Sequence, residues 1–306
     1  MDRRGFLRCS GLAFAASAVP SVFAKTSHRF RVGFQVYAVR DLCEKDLVGT
    51  LRTVRAIGYE GVETGRFYGR GAAEWKAICA DAGLDLYALQ LYPHNLPEPQ
   101  LGETIRFCHE AGCSRINVAW FHGHPANPND WQLVVNVLNH AAEVCAREGI
   151  AVAYHNHDHE FRLKIGERCV WDWLWRASDG NDLRQVTATP RFSPRVRQEL
   201  DCGNCVLGGG NPVAWIDRFP GRIPCVHLTP AIADARGLRP GEAGLGSARD
   251  AADWPKILAA LLHCGTEWLT VKPTAFPGST EDLRASYRYL EDRILGTALR
   301  PLPPRK

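Results

Sequence analysis

The sequence predicts an α/β protein, a single-domain (βα)8 TIM barrel, on two observations. First, five segments place a glycine between a run with helical spacing and a short apolar run: "AIGYEGVE", "DAGLDLYAL", "EAGCSRINVAW", "REGIAVAYH" and "HCGTEWLTV". A glycine there ends a helix, and the short apolar run after it is typical of a buried parallel strand. Second, eight such strands spaced on average about 35 residues apart suit an eight-stranded barrel.

The predicted strands follow one another in chain order, and the five that come after these glycines are rich in Val, Ile, Leu and Tyr. They are expected near residues 31–37, 60–63, 85–90, 115–120, 150–155, 197–201, 223–228 and 268–272. The glycines predicted to end helices are Gly58, Gly83, Gly112, Gly149 and Gly265. A doubly wound open sheet is the alternative fold, but no GxGxxG sequence follows the first strand.

Both ends of the chain are set apart from the predicted barrel. Arg3 and Arg4 precede an uncharged run that ends at Ala24, which predicts a twin-arginine export signal over residues 1–24 and a periplasmic protein. The apolar run is too short for a good membrane span, and no later stretch resembles one. Residues 25–300 are expected to form the barrel, and 301–306 a flexible tail.

Composition narrows the functional classes. The hydrophobic share of 45% is ample for a core, and the net charge of +4 indicates no nucleic-acid partner. Ten of the eleven cysteines follow the signal and are scattered, unlike a disulfide scaffold. Cys202 and Cys205 form a CxxC pair, a weak signal for zinc, so buried or redox-tolerant thiols are favoured. The glycine-rich "LGGGNP" (207–212) is interpreted as a helix-start loop rather than a phosphate cradle. The oligomeric state is left open.

Polar residues follow nearly every predicted strand, where a barrel of this kind builds its active site. Carboxylates and an imidazole on neighbouring strands can hold Mn²⁺, Mg²⁺ or Zn²⁺, and aromatic rings suit a carbohydrate ligand. Simpler roles are open for single residues, such as helix capping by Glu63 or Asp201 or a buried, backbone-bonded His227. The strand-end residues are Gln35, Tyr37, Arg40, Glu63, Gln90, Tyr92, His94, Trp120, Phe121, His122, His124, the "HNHDHE" run (155–160), Glu199, Asp201, His227 and Lys272.

Six segments resemble, in order, the sugar phosphate isomerase/epimerase family with the xylose-isomerase-like TIM barrel, in an exported branch. They are "GFQVYAVRD", "IGYEGVE", "AYHNHDHEF", "ELDCGN", "GRIPCVHL" and "SYRYL". The resemblance implies a divalent metal at the barrel mouth that polarises hydroxyl and carbonyl oxygens of a sugar, and a base that moves a proton between carbons. Related members eliminate or hydrate keto-sugars instead.

The strand-end rule and the resemblance together assign roles. The resemblance implies Asp201 and His227 as metal ligands, with Glu160 or a histidine of the cluster as the third. Which of His155, His157 and Glu160 faces the metal stays open, because a turn breaks the alternation of the strand there. The predicted catalytic residues are Glu63, His155, His157 and Lys272, and the predicted substrate-binding residues are Gln35, Tyr37, Gln90, His94 and Trp120.

Two positions depart from the family pattern. "HLTP" puts Thr229 and Pro230 where the family commonly has Lys-Asp, and "LTVKP" puts Lys272 where it has a metal-binding glutamate. A protonated lysine has no lone pair with which to ligate and repels a divalent cation. We therefore expect the metal to be weakly held or absent. The predicted function is a sugar isomerase or epimerase; the alternatives are a keto-sugar lyase or hydratase and a non-catalytic sugar-binding protein.

Overall fold

Eight short parallel strands close into a barrel. The computed structural model describes residues 30–119, 127–175, 191–235, 237–241, 243–274 and 277–295. The barrel strands are β1 (Arg31–Gln35), β2 (Gly61–Thr64), β3 (Asp85–Leu91), β4 (Arg115–Ala119), β5 (Ala151–His155), β6 (Val196–Asp201), β7 (Cys225–Leu228) and β8 (Trp268–Val271). Each pairs with its neighbour in chain order, and β1 pairs with β8 in parallel, which closes the ring. The predicted TIM barrel is confirmed.

The helices lie between the strands in sequence and cover the barrel. They are α1 (Arg40–Lys45), α2 (Leu47–Ile57), α3 (Ala72–Ala82), α4 (Gln100–Ala111), α5 (Pro128–Arg147), α6 (His159–Arg162), α7 (Val170–Trp175), α8 (Cys202–Leu207), α9 (Pro212–Arg218), α10 (Trp254–Cys264) and α11 (Thr280–Leu290). All five glycines predicted to end helices have positive φ, up to 130° at Gly58. Each described helix is too short or too polar to span a bilayer.

Strand alternation divides the interior into two parts. Residues such as Phe34 and Val62 are fully buried and belong to the main apolar core. Inside the barrel, the stacked rings of Tyr87 and Trp268, with centroids 4.0 Å apart, form an apolar floor. Gly61 permits this stacking, because a Cβ there would lie 2.5 Å from the Trp268 ring. The polar residues at the carboxyl ends of the strands lie above this floor.

Two hairpins lie outside the barrel and are absent from the sequence prediction. One pairs Lys164–Ile165 with Arg168–Cys169 after β5, and the other pairs Ala231–Asp234 with Gly237–Pro240 after β7. The glycine-rich loop 207–212 leads into α9, which Asn211 caps, as a helix-start loop should. A Cβ on Gly208 would lie 2.2 Å from the Asp158 carbonyl oxygen, so this loop packs against the histidine-rich stretch.

The CxxC pair lies in the first turns of α8. Cys202 and Cys205 are buried and form no disulfide. The predicted signal (1–24) and tail (301–306) lie outside the described residues, as do Trp120, Phe121, His122 and His124.

Candidate active site at the barrel mouth

The carboxyl ends of the strands bring most of the predicted polar residues together. Glu63, His155, Asp201 and His227 are fully buried at the ends of β2, β5, β6 and β7, and Lys272, just after β8, is 9% exposed. Parallel strands present their carboxyl ends at the same edge of a barrel, so one face collects five charged or titratable groups. Such groups lose their water on burial and must therefore balance one another.

The deeper part of the site surrounds one imidazole with two carboxylates. The Nε2 of His227 lies 3.1 Å from Glu63 Oε1 and 3.2 Å from Glu199 Oε1. The Asn117 amide donates one hydrogen bond to Glu63, at 2.9 Å, and another to Glu199. Asn117 is absent from the predicted site, and Glu199 has no predicted role, although it stands two residues before Asp201 on the same strand face.

The charges in this deeper layer are coupled. Burial, together with the neighbouring Glu63 carboxylate, raises the pKa of Glu199 to about 7. Burial alone would lower the pKa of His227, but Glu199 and Glu63 outweigh it and raise it to about 10. Burial would also raise the pKa of Glu63, yet His227 holds it below its usual value. A His227 imidazolium paired with a Glu63 carboxylate is the resulting state near neutral pH.

Asp201 organises the upper part of the site. Its Oδ1 accepts a hydrogen bond from the backbone N–H of Asn204, at 2.9 Å, and so caps α8. Its Oδ2 accepts hydrogen bonds from Thr229 Oγ1, at 2.7 Å, and from Asn204 Nδ2, at 2.9 Å. The Lys272 ammonium and the His227 Nδ1 lie 4.0 and 3.9 Å from the same Oδ2. Asp201 is therefore both a helix cap and the carboxylate that the cations of the mouth share.

His155 differs from its neighbours because its ring has no hydrogen-bond partner. Its Nδ1 lies 3.4 Å from Glu199 Oε2 and its Nε2 4.0 Å from Asp201 Oδ2, and neither contact meets hydrogen-bond geometry. Burial lowers the pKa of His155 well below its usual value, and the nearby His227 and Lys272 lower it further. The ring is consequently a neutral imidazole with a lone pair inside the site.

The arrangement meets the requirements for a metal site. His155, Asp201 and His227 each offer a ligand atom, and these atoms lie within 4.8 Å of one another. The His155 nitrogens and His227 Nδ1 are buried without a hydrogen-bond partner. Imidazole nitrogen and carboxylate oxygen are ordinary ligands of Zn²⁺ and of similar divalent ions. These buried groups could hold a metal.

Four of the predicted substrate-binding residues lie at or just after the carboxyl ends of β1 and β3, and the fifth, Trp120, lies outside the described residues. Gln35 donates a hydrogen bond to Gln90 Oε1, at 2.7 Å, which links the ends of β1 and β3 across β2. Tyr37 is 39% exposed and carries the Arg40 guanidinium 4.1 Å above its ring. His94 stacks on Tyr92, which is 40% exposed. Two aromatic surfaces therefore face solvent beside the site.

Glu160 lies apart from the central group, which consists of His155, Asp201 and His227. Its carboxylate accepts hydrogen bonds from Tyr154 Oη, at 2.7 Å, and from the backbone N–H of His157, at 2.8 Å. Tyr154 packs against Trp171 in the outer layer. Of the three residues that the sequence leaves open, the structure brings His155 into the central group and places Glu160 with His157 and His159.

Comparison with known proteins identifies a family of TIM barrels. The family described as "Xylose isomerase-like TIM barrel" matches residues 51–293. A protein named inosose dehydratase, from Geobacillus kaustophilus, is 22% identical over 234 residues, which are 67% of this chain and 70% of that protein.

Two solved structures illustrate the fold. A sugar phosphate isomerase/epimerase from Parabacteroides distasonis ATCC 8503 has a TM-score of 0.68 at 21% identity, and covers 86% of this chain and 98% of its own. The IolI protein, described with a bound zinc atom, has a TM-score of 0.64 at 12% identity, with coverages of 87% and 99%. At these identities the likeness shows the fold.

Proposed function

The chain belongs to the xylose isomerase-like TIM barrel family, and we propose that it is an isomerase or epimerase of a sugar or keto-sugar. The proposed reaction moves a proton between neighbouring carbons through an enediol or enolate at the barrel mouth. Its ligand is a small carbohydrate, and the sugar-related relatives support this class of substrate.

One observation carries the proposal: His155 is a buried, neutral imidazole without a hydrogen-bond partner, close enough to Lys272 for its pKa to be lowered by the ammonium. A proton transfer next to a carbonyl needs a base with a free lone pair. It also needs positive charge or donors where negative charge develops on the carbonyl oxygen. We assign the first role to His155 and the second to Lys272, with His157 beside them and Glu63 holding His227.

The partly exposed residues indicate how a sugar would enter. Lys272 and His157 keep some exposure, whereas the groups beneath them have none. Tyr37 and Tyr92 offer ring faces at the same end of the barrel, and sugar C–H faces pack well on aromatic rings. We propose that Gln35, Tyr37, Gln90 and His94 bind the sugar, and that Trp120 does so as well.

Proton exchange tests the proposal. The full chain is incubated with a panel of aldoses, ketoses and keto-sugars in deuterated buffer, and deuterium next to the carbonyl is followed by NMR. We expect exchange with at least one sugar, and a loss of about 10²-fold or more in His155→Ala and His157→Ala, the usual contribution of a general base. His109→Ala, which removes an exposed histidine paired with Glu148, is the control.

Two results would contradict this function. Full exchange in His155→Ala would remove the assigned base. Sugar binding without exchange across the whole panel would favour a non-catalytic sugar-binding protein. Melting temperatures of the variants accompany both measurements, because a large loss of stability with intact binding would make the histidine stretch a structural turn.

A lyase or hydratase is the second candidate, and the match to an inosose dehydratase favours it. The same base would remove the proton, after which a hydroxyl on the next carbon leaves as water instead of a proton returning. Mass spectrometry separates the two reactions, because an isomerase conserves the mass of the sugar and a dehydratase product lacks one water.

A divalent metal also fits the central group, where His155, Asp201 and His227 would hold it; the His155 lone pair would then ligate the ion instead of accepting the proton. When bound, such an ion polarises hydroxyl and carbonyl oxygens of the sugar. We propose that Lys272 weakens this site. Its ammonium shares Asp201 with Thr229 and Asn204, and His227 is already held between Glu63 and Glu199, so the charges of the mouth are largely balanced without an ion.

Titration with Mn²⁺ tests the effect of Lys272. Calorimetry should find little or no tight binding to the wild type, and a gain of at least tenfold in Lys272→Glu, because a repelling charge becomes a ligand. Lys256→Glu, the same charge change at an exposed residue paired with Asp253, should leave binding unchanged. Tight, stoichiometric Mn²⁺ in the wild type with no gain in Lys272→Glu would contradict the proposed weakening.

We also propose that the chain is exported to the periplasm by the twin-arginine route. The paired arginines Arg3 and Arg4 before an uncharged run support this. Cell fractionation tests it: Arg3→Lys together with Arg4→Lys should hold the chain in the cytoplasm. An unchanged distribution would contradict that route.

A further inference from the structure

We propose that His157, His159 and Glu160 form a second divalent-cation site, suited to Zn²⁺, at the rim of the barrel mouth. It is separate from the central group of His155, Asp201 and His227 and shares no ligand with it. The inference does not depend on the reaction assigned above.

The three side chains present their ligand atoms to one another. One ligand atom from each lies within 4.8 Å of the other two, although the residues occupy only four consecutive positions. The His157 and His159 rings are nearly parallel, at 5°, with centroids 5.7 Å apart. The loop before α6 produces this grouping, since His157 precedes the helix while His159 and Glu160 begin it.

Glu160 supplies a fixed carboxylate to the group. It is fully buried, and its two oxygens are held by Tyr154 Oη and by the backbone N–H of His157. Each carboxylate oxygen has lone pairs beyond the one used, so both can still ligate. A ligating carboxylate that is also hydrogen-bonded is the usual arrangement around a protein-bound metal.

His159 has an unused nitrogen close to this carboxylate. Its Nε2 is buried without a hydrogen-bond partner, yet it lies only 3.4 Å from Glu160 Oε1. A buried imidazole nitrogen without a partner costs free energy, which a metal ion or a proton would relieve. The ion and the proton predict different results in the experiment below.

The chemistry of the three donors selects the ion. Two imidazoles and one carboxylate are a known zinc donor set that leaves a fourth position open, and they suit Mg²⁺ or Ca²⁺ poorly. The side chain of His159 is 14% exposed and His157 is half-buried, so an ion can enter from solvent. The nearby Lys272 ammonium opposes binding, while the Glu160 carboxylate favours it.

The test uses the chelator-treated full chain and Zn²⁺ alone, titrated by calorimetry. Co²⁺ absorption spectra serve as a second readout of nitrogen and oxygen ligation. We expect His159→Ala and Glu160→Gln each to weaken one Zn²⁺ binding event by at least about tenfold, the lower limit for disturbing even an outer partner of a metal site. The same event should persist in His155→Ala, which removes a ligand of the central group.

His109→Ala is the matched control, because His109 also pairs with a glutamate, Glu148 at 3.2 Å, but on the exposed surface and without a third ligand. Its Zn²⁺ binding should equal that of the wild type. Identical Zn²⁺ titrations for wild type and His159→Ala would overturn the site. Loss of all Zn²⁺ binding in His155→Ala alone would overturn it as well.

Discussion

At the residue scale, two kinds of side chain characterise the site. Some contact several partners at once, and one has buried ring nitrogens without a hydrogen-bond partner. His227 is shared between Glu63 and Glu199, and Asp201 between Lys272 and two uncharged donors. His155 has no such partner. Because a buried polar atom without a partner is costly, its persistence in a fully formed fold points to binding or chemistry rather than to stability.

The shared imidazole predicts how stability depends on pH when metal is removed by a chelator. His227 has a pKa of about 10 in the fold and an ordinary value of 6.5. Its proton therefore stabilises the fold fully below about pH 6.5, and this contribution is lost as the pH rises toward 10. Urea unfolding should show a loss on the order of 2 kcal/mol between pH 7 and pH 8.5.

Glu199→Gln provides the comparison for that measurement. The amide removes the negative charge that Glu199 gains beside His227 as the pH rises above about 7, while the Glu63 carboxylate remains. The pKa of His227 should fall, and the alkaline loss of stability should become smaller than in the wild type. An equal loss in both proteins would show that another group titrates in this range.

Residue-level prediction from sequence succeeds where strand parity holds. Asp201 and Lys272 are the last residues of two predicted strands, and the structure places Lys272 Nζ 4.0 Å from Asp201 Oδ2. The alternation of inward and outward side chains stops at the turn after β5. The sequence therefore does not decide whether His155 or Glu160 faces the metal. Asn117 gives no local signal at all, because its importance comes from strands that lie 54 and 82 residues away.

At the scale of elements, α8 is held close to the loop after β7. A Cβ on Gly203 would lie 1.7 Å from the Thr229 carbonyl oxygen. This contact keeps Asn204 and Thr229 near Asp201, to which both donate hydrogen bonds. The close approach of α8 to the loop after β7 therefore fixes the positions of the hydrogen-bond donors around Asp201.

Gly203→Ala should be destabilising for this reason. A methyl group against fixed backbone forces a shift that costs about 1–3 kcal/mol or more. Gly102→Ala is the matched change, in α4, where a Cβ meets only side-chain atoms at 3.3 and 3.6 Å; it should be neutral or stabilise by up to about 1 kcal/mol. Chemical denaturation of both variants checks the opposite signs, and equal effects would contradict the close approach.

The elements of the barrel could be predicted because each carries its own signal. All eight strands appear close to their predicted positions, and for five of them an apolar run after a glycine that ends a helix reports burial locally. The hairpins after β5 and β7 carry no such run. In the first hairpin, Lys164–Ile165 pairs with Arg168–Cys169, so each strand has only two residues. Strands this short give no periodic pattern in the sequence, and they form through contacts with residues elsewhere in the fold.

At the scale of the whole molecule, the cysteines make a further prediction. All ten described cysteines are free, and all except Cys169 are buried. Burial also raises the pKa of thiols such as Cys43, to about 12, which suppresses the reactive thiolate. An aromatic disulfide reagent should label at most Cys169 among these ten in the native protein, and all ten after denaturation.

Two further measurements complete this test. Cys169→Ser should remove the native reaction of these ten cysteines. A reducing agent should leave the melting temperature unchanged, because no disulfide is present among the described residues. A lower melting temperature in reducing agent would mean that the purified protein contains a bond between cysteines. Rapid native labelling of several thiols would mean that the helical layer opens readily.

The two-sided environment of His227 also makes it a spectroscopic reporter. One nitrogen faces the Glu63 and Glu199 carboxylates, and the other faces Asp201 and the mouth. In protein labelled with ¹⁵N-histidine, the Nε2 resonance of this ring reports on the deep carboxylates, and the Nδ1 resonance reports on the mouth of the barrel. Charge changes introduced by a ligand should move the Nδ1 signal first, whereas substitutions among the deep carboxylates should move Nε2. A single ring thus allows occupancy of the mouth to be followed without attaching a probe.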